Sequence, residues 1–284
     1  MSDAAESWPI GVFASLDAGL GVAWDVIEAV GVPTIQLHAP HAGNRGQSTA
    51  DQLSEQLERF GVRCTAVFGG FEGESYADIP TVVRTVGLMP SDTRQQRLDE
   101  MFEISDFARR IDCDVVALHI GFVPHDADDP AFGEIVEVTR TLCDHVVGNR
   151  QALHLETGQE TADGLLQFID AVDRPNLKIN FDPANMILYG TGEPIEALRK
   201  VGRHVASVHC KDATWSDQPG ETWGVEVPLG EGAVGMRRYL QTLLAIGYRG
   251  PLTIEREIPE DPQRQLSEIR SAVELLETLR GELL

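Results

Sequence analysis

Four short runs carry residue types that hold metal ions: HLETG (154–158), NFDPAN (180–185), VHCKD (208–212) and TIERE (253–257). Each supplies one strong ligand: Glu156, Asp182, His209 and Glu255. Three carboxylates and one imidazole make an oxygen-rich set of borderline hardness. Mn²⁺ or Mg²⁺ fits it best, and Co²⁺ or Zn²⁺ is acceptable. No thiolate joins the set, which argues against structural zinc. Singly, each residue has an ordinary explanation. Asp182 before Pro183 could cap a turn or helix, Glu255 could pair with an arginine, and His209 could be a hydrogen-bonded core histidine. One ligand at the same point of four successive structural units favours a single divalent-metal site, and therefore an enzyme.

Neighbouring positions extend the set. Side chains alternate along a strand, so Lys211 shares a face with His209, Glu257 with Glu255, and His154 with Glu156. Lys211 is either an electrophile or hydroxyl ligand, or the counter-charge to this acidic cluster. Asn185, just past Asp182, is placed to reach a substrate hydroxyl. His119, at the end of an earlier strand, is read as a substrate contact, with a buried hydrogen-bonding role as the alternative. His38 and His41 are further candidates.

The elements that must position these residues follow from hydrophobic patterning. Continuous apolar runs at 9–16, 34–39, 63–71, 114–121, 152–158, 177–185, 205–213 and 251–258 suit strands covered on both faces. Helical segments alternate with them at 21–30, 48–60, 91–111, 131–147, 161–172, 193–203, 233–246 and 262–281. Thr49 with Gln52 suggests a capping box for the second, and Ser91 an N-cap for the third. Eight β/α units predict an α/β fold, a single (β/α)₈ TIM barrel over residues 1–284. The rival is a doubly wound open sheet, but the first βα turn lacks a GxGxxG fingerprint. In a barrel, four consecutive strand ends converge on one rim.

Two long connections, 72–90 and 213–232, are expected to cover that rim. Trp215 and Trp223 in the second either wall a substrate or pack the loop itself. The loop PLGEG (228–232) is either a tight turn or a source of backbone N–H groups for a phosphate.

The chain has 23 Lys and Arg against 45 Asp and Glu, a formal charge of −22. That balance opposes nucleic acid and anionic membranes as partners. Cys64, Cys113, Cys143 and Cys210 form no CxxC and no small-domain disulfide pattern, so reduced, buried thiols are expected. No run approaches the ~20 apolar residues of a membrane span. The start, MSDAAESWPIG, lacks a signal-peptide core. These features predict a soluble cytoplasmic protein and leave a homo-oligomer open.

The runs LETG, FDPAN, VHCKDA, PLGEG and LTIERE together resemble the xylose isomerase-like TIM barrel superfamily, in particular its sugar phosphate isomerase/epimerase branch. The resemblance covers nearly the whole chain and is strongest over 152–258. It implies one divalent ion, often Mn²⁺, held by Glu156, Asp182, His209 and Glu255. In the ketose 3-epimerases of that group the two glutamates also exchange the substrate proton, a role that would fall on Glu156 and Glu255. The implied substrate is a small sugar or polyol, and the implied reaction is isomerisation or epimerisation through an enediolate. A lyase or dehydratase acting on a keto-inositol or 3-keto-glycoside would use the same site. Two departures stand out. Asn185 occupies the place of a histidine found both in tri-zinc apurinic endonucleases of the superfamily and in the epimerases. TGQETAD follows Glu156 where the epimerases carry a further acid. The first opposes a three-metal nuclease; both imply different substrate contacts from strict free-ketose 3-epimerases.

Overall fold

The computed structural model describes residues 8–17, 21–258 and 261–284. Parallel strands β1 (Ile10–Ala14), β2 (Thr34–His38), β3 (Arg63–Gly69), β4 (Val115–Leu118), β5 (Ala152–Glu156), β6 (Leu177–Phe181) and β7 (Val205–Cys210) run round a barrel. An antiparallel pair, β8 (Asp212–Thr214) and β9 (Val225–Val227), rises from the rim after β7. Strand β10 (Leu252–Ile254) then closes the barrel by pairing with both β7 and β1. All eight expected strands are in the closed sheet, so the TIM barrel stands and the open sheet is excluded.

The helices are α1 (Trp24–Val30), α2 (Gln47–Phe60), α3 (Ile79–Thr85), α4 (Arg94–Arg110), α5 (Pro130–Gly148), α6 (Ala162–Val172), α7 (Pro183–Tyr189), α8 (Pro194–Val201), α9 (Met236–Ala245) and α10 (Pro262–Leu283). Among the described residues no helix is long and apolar enough to cross a membrane. The four cysteines are buried and free.

Two cap expectations are corrected. Helix α2 starts at Gln47 with Gly46 at its N-cap, so Thr49 lies inside the helix and forms no capping box. Helix α4 starts three residues later than expected, with Thr93 at the N-cap instead of Ser91, and its side chain makes no cap hydrogen bond. The strand expected over 177–185 ends at Phe181. Asp182 leaves the sheet and caps α7, because Asp followed by Pro supplies both the cap acceptor and a first-turn residue with no N–H to satisfy.

Most apolar burial lies between the sheet and the helices, in a cluster that includes Val12, Ile35, Leu37, Val67, Val116, Leu118, Leu153, Leu155 and Ile179. The barrel interior is divided. On the β1, β3 and β4 side it is filled by Phe13, Ala66, Phe68 and Ala117. On the other side the interior positions are polar: Gln36, His154, Asn180, Ser207 and His209 are all buried and hydrogen-bonded to one another.

Candidate metal centre

Glu156 ends β5, Asp182 follows β6, His209 is in β7 and Glu255 follows β10. One ligand atom from each lies within 4.8 Å of all the others. Nδ1 of His209 lies 2.7 Å from Glu156 Oε1, 2.8 Å from Glu255 Oε2 and 3.4 Å from Asp182 Oδ2. His209 and Asp182 are fully buried and Glu156 nearly so.

The hydrogen-bonding pattern tests whether a cation fits. Nε2 of His209 lies 2.6 Å from Gln36 Oε1, a pure acceptor, so Nε2 carries the proton. In the neutral imidazole Nδ1 then aims its lone pair at three carboxylate oxygens. Nδ1, Asp182 Oδ2 and Glu255 Oε2 are all buried without a hydrogen-bond partner. Such a convergence of unpartnered acceptors repels itself unless a positive charge fills the centre. Without a metal a proton must do so. Burial works against a charged His209, but Glu255 and Glu156 override it and raise its pKa well above the ordinary histidine value. The donor set and the orphaned atoms both fit a divalent ion.

The surrounding side chains hold this arrangement. His119 places Nε2 2.9 Å from Glu156 Oε2. Burial lowers the His119 pKa, but the Glu156, Glu255 and Glu74 carboxylates outweigh it and hold the imidazole up at about 9. Glu156 in turn stays well below the usual carboxylate range: its burial raises the pKa, and His119 and His209 more than reverse that. Asn185 donates from Nδ2 to Glu156 Oε1 at 3.4 Å. Lys211 is buried and donates to Glu257 at 2.7 Å, with Glu255 at 3.5 Å. Its position is therefore that of the counter-charge. His38 lines the cleft, and burial keeps it below the ordinary histidine value; His41 sits on the rim beside Asp17.

Sequence reading missed the support behind His209. Gln36 Nε2 donates to Asn180 Oδ1 at 3.3 Å, and Ser207 Oγ donates to the same oxygen at 2.7 Å. Nδ1 of His154 lies 2.7 Å from Ser207 Oγ, and burial depresses the His154 pKa to about 3, leaving it neutral. The chain thus runs from His209 on β7 through β2, β6 and β7 again to His154 on β5. A signal was present: Thr34, Gln36 and His38 put polar residues on one face of an otherwise apolar strand.

A cleft of about 1300 Å³ opens over the centre, bounded by Phe13, Phe68, Tyr76, His119, Glu156 and Glu255 among others. The segment 72–90 forms part of its wall and contains helix α3, where the sequence pattern suggests only a connection. Glu74 pins both ends of that segment, accepting from Phe71 N at 3.1 Å and Gly87 N at 2.7 Å. Ile79, Val82 and Val86 pack with Tyr189, Phe122 and Trp223. Trp223 therefore packs against this segment, with its ring 4.5 Å from that of Tyr189. Trp215 is 38% exposed and does not line the cleft.

Fold and centre together define a parallel β/α barrel with a carboxylate–imidazole centre able to hold a metal. The chain belongs to the xylose isomerase-like TIM barrel family, whose model matches residues 24–279. It is 58% identical to a xylose isomerase domain protein from Planctomyces limnophilus, whose crystal structure superposes with a TM-score of 0.96 and covers 98% of this chain and 99% of that one. It is 31% identical over 110 residues to the L-ribulose-5-phosphate 3-epimerase UlaE of Escherichia coli, a match covering 38% of this chain and 36% of the relative. Matches to the curated relatives span 36% to 59% of their lengths. At the level of fold alone, a Mycobacterium smegmatis barrel solved in complex with magnesium is similar, with a TM-score of 0.70, 20% identity and full coverage of both chains.

Proposed function

We propose that the protein is a divalent-metal-dependent isomerase or epimerase acting on a sugar or sugar derivative through an enediolate, with Mn²⁺ as the first-choice ion. The observation that carries this reading is the set of four converging ligand atoms, three of them buried without hydrogen-bond partners, with a glutamate at each end of the ligand row. An ion held by Glu156, Asp182, His209 and Glu255 would polarise a substrate carbonyl and stabilise the negative charge that develops on its oxygen. Glu156 and Glu255 approach from β5 and β10, on either side of β6 and β7. One glutamate removes the proton beside the carbonyl and the other returns it to a different face or carbon. Glu156 is kept ionised, as a base requires, and His119 and Asn185 fix its orientation. Lys211 balances the charge of Glu255 and Glu257. The segment 72–90, which forms part of the cleft wall, would limit water at the reacting carbon.

The reading extends to a cytoplasmic protein with no nucleic-acid partner, supported by four free cysteines and the charge of −22. Proton NMR in D₂O tests the chemistry. Solvent deuterium should enter the carbon beside the carbonyl with no group lost; loss of a β-substituent would mark a lyase instead. Glu255→Gln should lower turnover by at least ~10²-fold if Glu255 is both ligand and base. Near-normal turnover in that variant would remove it from the mechanism.

A further inference from the structure

We propose that the cleft takes an uncharged polyhydroxy carbonyl compound and discriminates against its phosphate ester. The inference deepens the isomerase reading and rests on it. The E. coli relative is named for a phosphorylated ketose, so similarity alone does not choose between free sugar and ester.

Parallel barrels commonly bind phosphate with the loops after strands seven and eight, where backbone N–H groups face the anion. Here the segment after barrel strand β7 is filled from within the chain. Asp212, 1% exposed, directs its carboxylate into the loop that follows β9. Its Oδ2 accepts from Gly230 N at 3.0 Å, and its Oδ1 accepts from Val234 N at 3.1 Å and Ala213 N at 3.0 Å. A side chain at Gly232 would collide with the same carboxylate. Three backbone donors of this loop are already bonded to an internal anion, whose charge repels a second one.

The cations of this rim are equally engaged. Arg45 holds Glu100 at 2.7 Å and Glu103 at 3.8 Å. Lys211 holds Glu257 at 2.7 Å and Glu255 at 3.5 Å. Arg256 holds Glu226 at 2.8 Å and Glu268 at 2.7 Å. Among the described residues lining the cleft, carboxylates outnumber lysines and arginines eight to one, and the one arginine, Arg45, and the raised-pKa His119 each face a carboxylate, so an entering dianion meets a mostly negative wall. Hydroxyl groups suit the same wall, since every carboxylate oxygen accepts an O–H.

Two measurements decide the matter. Mn²⁺-loaded protein is titrated with ribitol and with ribitol 5-phosphate at fixed ionic strength while water-proton relaxation is followed, with a protein-free control for chelation by the ester. Ribitol is expected to displace metal-bound water at a concentration at least ~10-fold below that of its phosphate. Equal or tighter binding of the ester overturns the proposal. In parallel, D₂O exchange is compared between free ketoses and their phosphates. A kcat/KM at least ~10-fold higher for the free sugars is expected, and the reverse order overturns the inference. Absence of exchange in every ketose would instead overturn the isomerase reading, while the relaxation titration still decides the preferred charge.

Discussion

Gln36 determines which nitrogen of His209 is free for a metal. Its carbonyl oxygen takes the Nε2 proton, and its amide is tied to Asn180. Gln36→Leu should leave the four ligands in place but let the imidazole change tautomer and rotate. Metal affinity, measured by calorimetry, is expected to fall ~10–100-fold. An unchanged affinity would mean that the strand alone orients His209. Glu160 gives a second prediction. It is buried with Val123 N as its donor at 3.2 Å, and burial lifts its pKa from 4.5 to about 7. A carboxyl whose folded pKa is raised favours the folded state less as pH climbs. The penalty is absent below about 4.5, grows up to about 7 and is complete above it. Glu160→Gln keeps an acceptor without the charge, so it should stabilise the protein by up to ~3 kcal/mol at pH 8 and hardly at all at pH 4. Denaturant melts at the two pH values check this. The four candidate ligands were legible because each stands at the end of its own strand-like run. Gln36 was not, because its partners His209 and Asn180 are far away in sequence and meet it only when the barrel closes.

Element boundaries decide how Asp182 works. Its Oδ1 accepts from Ala184 N at 2.7 Å and Asn185 N at 2.9 Å, capping α7, while Oδ2 faces the centre. One carboxylate thus starts a helix and contributes to the metal cradle. Asp182→Asn should keep the cap and weaken metal binding. Asp182→Ala should lose both, with a further ~1–2 kcal/mol of stability. Comparing the two variants in metal-free denaturant unfolding separates the roles, and equal stability would argue against a capping contribution. All eight barrel strands were readable from apolar runs, although the run at 177–185 overran its true end. Helices α3 and α7 were not read, because α3 is a short piece inside a long strand-to-helix connection and α7 begins within the apolar run at 177–185. Their signal was chemical instead: Asp78-Ile79-Pro80 and Asp182-Pro183 put a capping acid one or two residues before a first-turn proline.

At the scale of the molecule, the centre draws on β2, β5, β6, β7 and β10, so a metal bound there would be coupled to barrel integrity. An ion that binds the folded barrel and not the unfolded chain adds ~2.7 kcal/mol when present at 100 times its Kd. For a chain of this length that is a rise of ~5 °C in Tm. Thermal melts with Mn²⁺, Mg²⁺, Co²⁺ and Zn²⁺, reversed by chelator, should show it. The rise should shrink in acid, where the metal must displace a proton from His209. A Tm indifferent to all four ions would argue against the site.

The line of side chains from His209 through Gln36, Asn180 and Ser207 to His154 also bears on engineering. Transplanting the four ligands onto an ordinary barrel, with hydrocarbon in its lumen, would carry over the visible parts of the centre and leave behind what aims the imidazole. The smallest portable unit is an entire layer of the lumen, contributed by strands that are scattered along the chain. Substitutions in that layer, above all at Gln36 on β2, a strand that carries no candidate ligand, belong among the first places to look for altered metal preference in relatives of this protein.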